Sequence, residues 1–290
     1  MSKRHPMYLG IWALGLVCGW AGNTFAQSTT SNTTTPPAAV AQATTDEDDA
    51  KAQPIEPDYR VINLPTTLRL PRHGGNFTLT HRFNGDLTEG SFLDQLQSMF
   101  GMDNGASIGL EYRYGVIRHV EAVVFRTNID RTIQFTGKWD PWRQGEKNMA
   151  ISVSPFVAVE GANNFRERYA TSLGATVSRN MHNRVEVYAV PWIVMNSAAG
   201  TGTYRNTFTL GVGGRARLKP RLFVVAEVMP RLGGYTPEDA AYGFGIETRV
   251  GGHVFQLNFN SSQATTFGQL SHGGFPDTLY LGFNLSRKFF

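Results

Sequence analysis

Nine ionisable side chains fall at two-residue intervals: Glu111 and Arg113, Arg184 and Glu186, Arg215 and Arg217, Glu247 and Arg249, with Glu227 in a similar setting. A spacing of two puts both members of a pair on one face of an extended strand. Opposite charges on one wet face have two uses: they line an aqueous path, or they pair into a network that ties strands together. The first use predicts a pore lined by all nine. Within the set, Arg113, Arg215, Arg217 and Arg249 outnumber Glu111, Glu227 and Glu247, which tilts such a pore toward anions. Conventional catalytic spacings are missing. The histidines after residue 26 are His73, His81, His119, His182, His253 and His272, and none sits in a His-Glu-x-x-His pattern. There is no Gly-x-Ser-x-Gly elbow either. Gly211-Val212-Gly213-Gly214 lies within a strand pattern, so it reads as close packing or a bend and not as a phosphate cradle. The sequence therefore assigns no catalytic residue, no metal and no cofactor.

The elements that must carry these charges are strands. At 106–117 the even positions are Ala106, Ile108, Leu110, Tyr112, Tyr114 and Val116, and the odd ones are Ser107, Gly109, Glu111, Arg113 and Gly115. One face is apolar and the other polar or small, at period two. The alternation recurs near 75–84, 119–127, 131–139, 148–159, 168–178, 184–194, 206–218, 221–230, 240–250, 253–261 and 277–289. Twelve segments of about 9–12 residues suit tilted strands crossing a bilayer, and an even number suits a closed barrel. No stretch after residue 26 approaches the roughly 20 apolar residues of a membrane helix. The connections alternate as well: 85–105, 195–205, 231–239 and 262–276 are long, while 118, 218–221 and 251–252 are short. Two connections break the trend, 128–130 being short and 140–147 long. The fold expected is an all-β, antiparallel transmembrane β-barrel of about 12 strands.

Aromatic residues cluster at strand ends: Tyr112, Tyr114, Trp139, Trp192 and Tyr242, with Trp142, Tyr169 and Tyr280. They are expected to form membrane girdles, or alternatively the core of a soluble sandwich. Phe289 and Phe290 close the chain in the manner of a barrel-assembly signal, although Phe290 is out of phase with its strand. One short helix is expected in the first long loop, where Ser91 and Asp94 make a capping box and Phe92, Leu93, Leu96, Met99 and Phe100 form an apolar stripe. It would enter the barrel mouth or pack on the rim.

The first 26 residues read as a secretory signal. Lys3, Arg4 and His5 precede an apolar run, and Thr24-Phe25-Ala26 closes it. Cys18, the single cysteine, sits in that run, so the chain beyond it has neither a disulfide framework nor a thiolate site. Residues 27–58 are rich in threonine, proline and alanine and contain an acidic run from Asp46 to Asp49. They are expected to be a disordered periplasmic linker, leaving 59–290 as the barrel. Of 27 bases and 23 acids, the signal holds two bases, and 27–58 holds one base and six acids. Residues 59–290 thus keep 24 bases and 17 acids, an excess that fits anionic lipid or solute better than nucleic acid.

Thr80-His81-Arg82-Phe83, Phe100-Gly101-Met102-Asp103-Asn104-Gly105-Ala106, Phe125-Arg126 and Thr136-Gly137-Lys138-Trp139 together resemble a domain-of-unknown-function family of barrel proteins from Gram-negative bacteria. The resemblance covers roughly residues 75–290 and implies an outer-membrane barrel but no substrate, while the even strand count puts both termini on the periplasmic side. The partners expected are outer-membrane lipid, the barrel-assembly machinery and small polar solutes. Three function classes stand: a narrow pore for small polar or anionic solutes, a structural or adhesion barrel acting through its loops or tail, and a lipid-modifying membrane enzyme.

Overall fold

A computed structural model describes residues 55–236 and 238–289. The predicted signal lies outside the described residues. The strands are β1 (Gly75–Asp86), β2 (Ala106–Ile117), β3 (Val120–Thr127), β4 (Ile133–Trp139), β5 (Ser152–Gly161), β6 (Glu167–Met181) and β7 (Val185–Met195). They continue as β8 (Thr207–Lys219), β9 (Leu222–Met229), β10 (Arg231–Gly234), β11 (Ala241–Val250), β12 (His253–Asn260) and β13 (Tyr280–Phe289). The short β10 prolongs β9 beyond Pro230, which has no N–H to offer the ladder. Twelve barrel strands result.

Each strand pairs antiparallel with its sequence neighbour. The first and last also pair, with Gly75 opposite Phe289 and Leu79 opposite Leu285. The sheet therefore closes on itself and leaves no free edge, as a hydrocarbon environment demands of backbone N–H and C=O groups. Connections 118–119, 182–184, 220–221 and 251–252 are tight and lie at one end, here the turn end. The long connections 87–105, 196–206 and 261–279 lie at the other, the loop end.

The alternation places faces as expected. In β2, Ile108, Leu110, Tyr112 and Tyr114 are exposed, while Ser107, Glu111 and Arg113 are buried. Phe244 and Ile246 of β11 and Phe255 and Leu257 of β12 continue the same outward apolar belt. An exposed apolar surface this extensive has no place in water and suits a bilayer.

Trp192 departs from the girdle expectation. It is 1% exposed and points inward, in phase with Tyr188, Val190 and Val194. The second half of β7 is apolar on both faces, so alternation could not assign it. Tyr112, Tyr114 and Trp139 are exposed on the outer face, and Tyr242 is half-exposed, its hydroxyl donating to the Pro276 carbonyl at 3.2 Å. Phe289 faces outward and Phe290 lies outside the described residues.

The helix expected in the first long loop forms as α1 (Phe92–Gln97), with the Ser91–Asp94 capping box intact. Hydrogen bonds from the Ser91 backbone and hydroxyl hold the Asp94 carboxyl below the usual range. Phe92, Leu93, Leu96 and Met99 are exposed, so α1 sits on the rim and does not enter the lumen.

Candidate functional site

A twelve-strand circumference encloses more space than its own inward side chains fill. Two chain segments occupy that space. The first is residues 55–70, which the sequence divided between linker and barrel. The linker reading fails at Ile55–Asp58: these residues are buried, Glu56 accepting from the Tyr188 hydroxyl at 3.1 Å and from the Thr67 backbone N–H at 3.1 Å. Residues 27–54 lie outside the described residues.

Local chemistry folds this segment into a hairpin. Arg60 and Pro65 face each other across it, Val61 N–H donates to the Leu64 carbonyl at 2.8 Å, and Thr66 N–H donates to the Tyr59 carbonyl at 3.0 Å. Barrel side chains satisfy the polar groups the turn leaves open, as burial requires. The Glu227 carboxylate accepts N–H bonds from Ile62 at 3.1 Å, Asn63 at 2.9 Å and Leu64 at 3.0 Å. Asn284 donates to the Ile62 carbonyl at 3.0 Å, and Arg215 to the Arg60 carbonyl at 2.9 Å. Both legs run to the turn end, where Thr67 and Ser178 hydroxyls meet at 2.7 Å and Lys138 donates to the Leu68 carbonyl at 3.0 Å.

A line of alternating charges joins hairpin to wall. Arg60 pairs with Glu111, Glu111 with Arg113 at 2.9 Å, Arg113 with Glu121, and Lys138 bridges Glu121 at 3.4 Å and Asp140 at 3.0 Å. On the opposite wall Arg215 pairs with Glu247 at 2.9 Å. Pairing of this kind offsets the desolvation that burial imposes on each ion.

The second insert comes from the loop end. Residues 261–279 dip into the mouth and carry α2 (Phe267–His272), capped by Thr266, whose hydroxyl accepts from Gln269 N–H at 3.3 Å. Phe267 N–H donates to Gln134 at 2.9 Å, and Gly268 N–H to Glu160 at 2.9 Å. The Phe267 ring stacks on Phe156, centroids 4.5 Å apart, and meets Trp192 edge-on at 5.9 Å. Val61, Ile62 and Leu64 of the hairpin join Phe267, Leu270 and Trp192 in one apolar cluster inside the barrel. The lumen is occluded. The cavities that remain include a central one of about 20 Å³ beside Arg60 and Glu111, one of about 80 Å³ at the loop end, and one of about 390 Å³ at the turn end. The central one is about the size of a single water molecule.

Of the nine charges expected to line a pore, Glu111, Arg113, Glu186, Arg215, Glu227 and Glu247 point inward and are buried. The other three sit at the turn end. Arg184 is exposed in a tight turn, Arg217 lies over the Phe223 ring at 5.4 Å, and Arg249 donates to the Gly251 carbonyl at 3.3 Å. They follow the polar phase of their strands, but at the rim. Sequence reasoning missed Arg60, Arg82, Glu121, Lys138, Asp140 and Glu160. Arg82, Glu121, Lys138 and Glu160 occupy inward positions in their strands, so a full tally of the polar phase was the available signal. Arg60 had none, since its hairpin has no period.

Among the described residues the buried carboxylates are Glu56, Asp58, Glu111, Glu121, Asp140, Glu160, Glu186, Glu227 and Glu247, against the cations Arg60, Arg82, Arg113, Lys138 and Arg215. Nine against five is an excess of acidic side chains, where the four arginines counted from sequence suggested a tilt toward anions.

Gly211 and Gly213 supply the close packing their strand position implied. A Cβ on Gly211 would stand 2.5 Å from Leu64 Cδ2 and 3.1 Å from the Trp192 ring. Gly211→Val is expected to weaken hairpin docking by about 1–3 kcal/mol through overpacking. Hydrogen exchange of residues 61–66 should rise while exchange in the strands stays unchanged.

Residues 58–289 match the family described as a membrane bound beta barrel domain (DUF5777). The chain belongs to this family. The match begins at Asp58, so most of the hairpin is part of the family's domain. With its closed sheet and apolar belt, the chain is a membrane barrel of the bacterial outer-membrane type. No curated protein matches it. Solved structures similar to it include the NanC porin, at 5% identity over 73% of this chain and 98% of that one, TM-score 0.47. An outer membrane channel from Pseudomonas putida F1 shares 12% identity over 76% and 97%, TM-score 0.48. The Acinetobacter baumannii outer membrane protein Omp33 shares 11% over 75% and 98%, TM-score 0.41.

Proposed function

We propose that this protein is a gated outer-membrane channel for small polar solutes, closed at rest by the hairpin 55–70, with the turn end facing the periplasm. The observation that carries this reading is how the hairpin is held. Both its legs leave at one end, and its backbone docks through hydrogen bonds and ion pairs on a wall that would be wet without it. Such contacts exchange with water, at about 0.5–1.5 kcal/mol for each neutral hydrogen bond and about 1.5–3 kcal/mol for each one to a charged group. A segment entering and leaving by the same end can withdraw without breaking the strand ladder. A second reading, a permanently plugged structural barrel, draws support from the apolar cluster shared by hairpin and α2.

A reversible lock separates the two. Thr67 and Ser178 hydroxyls lie 2.7 Å apart, so a Thr67→Cys/Ser178→Cys pair is placed to form a disulfide between hairpin and wall. Beyond the predicted signal the sequence has no other cysteine. In planar bilayers the oxidised variant is expected to be silent, and reductant should restore the openings of the unaltered protein. Equal current from the oxidised and reduced forms would rule out hairpin gating. No passage of ions or small sugars by either would favour the structural reading.

A further inference from the structure

Five buried carboxylates, Glu56, Asp58, Glu160, Glu186 and Glu227, enter none of the ion pairs among the described residues, and of these Glu160 lines the cavity at the loop end. Glu160 is 7% exposed and its oxygens accept from the Thr266 hydroxyl at 3.1 Å and Gly268 N–H at 2.9 Å. A carboxylate has about four lone-pair sites, so half its capacity stays unused. Burying it without a counter-charge is costly, and the surrounding interior, already rich in carboxylates, adds to that cost.

The carboxylate lines the cavity of about 80 Å³ at the loop end, together with Thr132, Asn196, Ser197 and Gln269. The basic groups at this cavity have partners other than Glu160, and those partners also line it. Arg168 pairs with Asp130 at 3.1 Å, and the His272 ring lies 2.6 Å from the Ser197 carbonyl. The unmet charge therefore awaits a cation from outside. A bare divalent ion suits the site poorly, since it asks for six or more oxygen ligands and no group of three His, Cys, Asp or Glu able to hold a metal occurs among the described residues. The volume is about that of two to three waters, enough for a head group of a few heavy atoms.

We propose that this cavity binds the ammonium or guanidinium head of a small organic cation, making such amines the solutes admitted from the loop end. The proposal rests on the channel reading for its transport sense, while binding itself is independent of it.

Agmatine is a suitable probe, being cationic at both ends. Isothermal titration of the full chain in detergent micelles should show saturable binding, with 1,4-butanediol inert. Glu160→Gln keeps an oxygen for the Gly268 N–H but removes the charge, and should weaken binding by roughly tenfold or more. Glu160→Asp should recover most of it. In bilayers, agmatine should block current through the unaltered protein and not through Glu160→Gln. Binding of equal strength in the unaltered and Gln forms, or none in either, overturns the site whatever the current. Charge-dependent binding by a protein that never conducts overturns the channel reading and leaves the site standing.

Discussion

A chain lacking the hairpin, with residues 55–70 removed and the tail joined directly to Pro71, is expected to conduct on the order of tenfold or more above the intact protein. The barrel should survive the deletion. Its strand ladder closes through β1 and β13 without help from the hairpin, and the return of the chain is fixed by His73 N–H on the Gly115 carbonyl at 2.7 Å and Gly115 N–H on the Gly74 carbonyl at 3.0 Å. Charges now buried against the hairpin become hydrated and keep their wall partners, Glu111 with Arg113 and Arg215 with Glu247. The conductance should remain finite, because α2 still narrows the mouth. Deletion removes Glu56, Asp58 and Arg60, leaving seven buried carboxylates and four cations. The open channel should therefore prefer cations, read as the sign of the reversal potential in a salt gradient. An assembled deletion variant with unchanged conductance would mean that the mouth insert alone sets the flow.

The barrel was legible from sequence because lipid and lumen impose opposite demands on alternate residues. In β2 that contrast is unbroken from Ile108 to Arg113, and the turns at 118–119 and 251–252 follow from it. The contents of the lumen were not legible. The hairpin has no period, and Arg60, Glu56 and Asn63 find partners 51, 132 and 197 residues away in sequence. An apolar core inside a membrane barrel also reverses the inward-polar rule locally, which is why Trp192 read as a girdle residue. The six-residue helix α2, Phe-Gly-Gln-Leu-Ser-His, is too short for a periodic signal, whereas the more regular stripe of α1 pointed to the rim element. Glu121 and Glu160 add inward carboxylates on β3 and β5, where apolar residues on both sides obscure the polar phase.

Glu227→Ala is expected to release the hairpin tip while leaving the barrel intact. One carboxylate satisfies the N–H groups of Ile62, Asn63 and Leu64, so its loss strands three buried donors at once. Each unsatisfied buried donor costs about 1–3 kcal/mol. The total is roughly 3–5 kcal/mol, the scale for losing one partner of a buried charged contact. The tip keeps the bonds from Asn284, Gln256 and Arg82 and the one from Asn63 to Asn260, together with the packing of Val61, Ile62 and Leu64 in the apolar cluster. Strand β9 itself pairs on both sides, with β8 and with β11, through backbone groups that the substitution does not touch. Hydrogen exchange at residues 61–66 should therefore accelerate by two orders of magnitude or more, in line with ~3 kcal/mol at about 1.4 kcal/mol per tenfold. Exchange in β9, and the temperature at which the folded band is lost on gels, should stay close to those of the unaltered protein. Open probability in bilayers should rise toward that of the deletion variant, with Glu227→Gln between the two because its amide keeps one accepting oxygen. Unchanged protection at 61–66 in Glu227→Ala would assign the docking energy to the apolar cluster instead, and the hairpin would then be a fixed part of the barrel core.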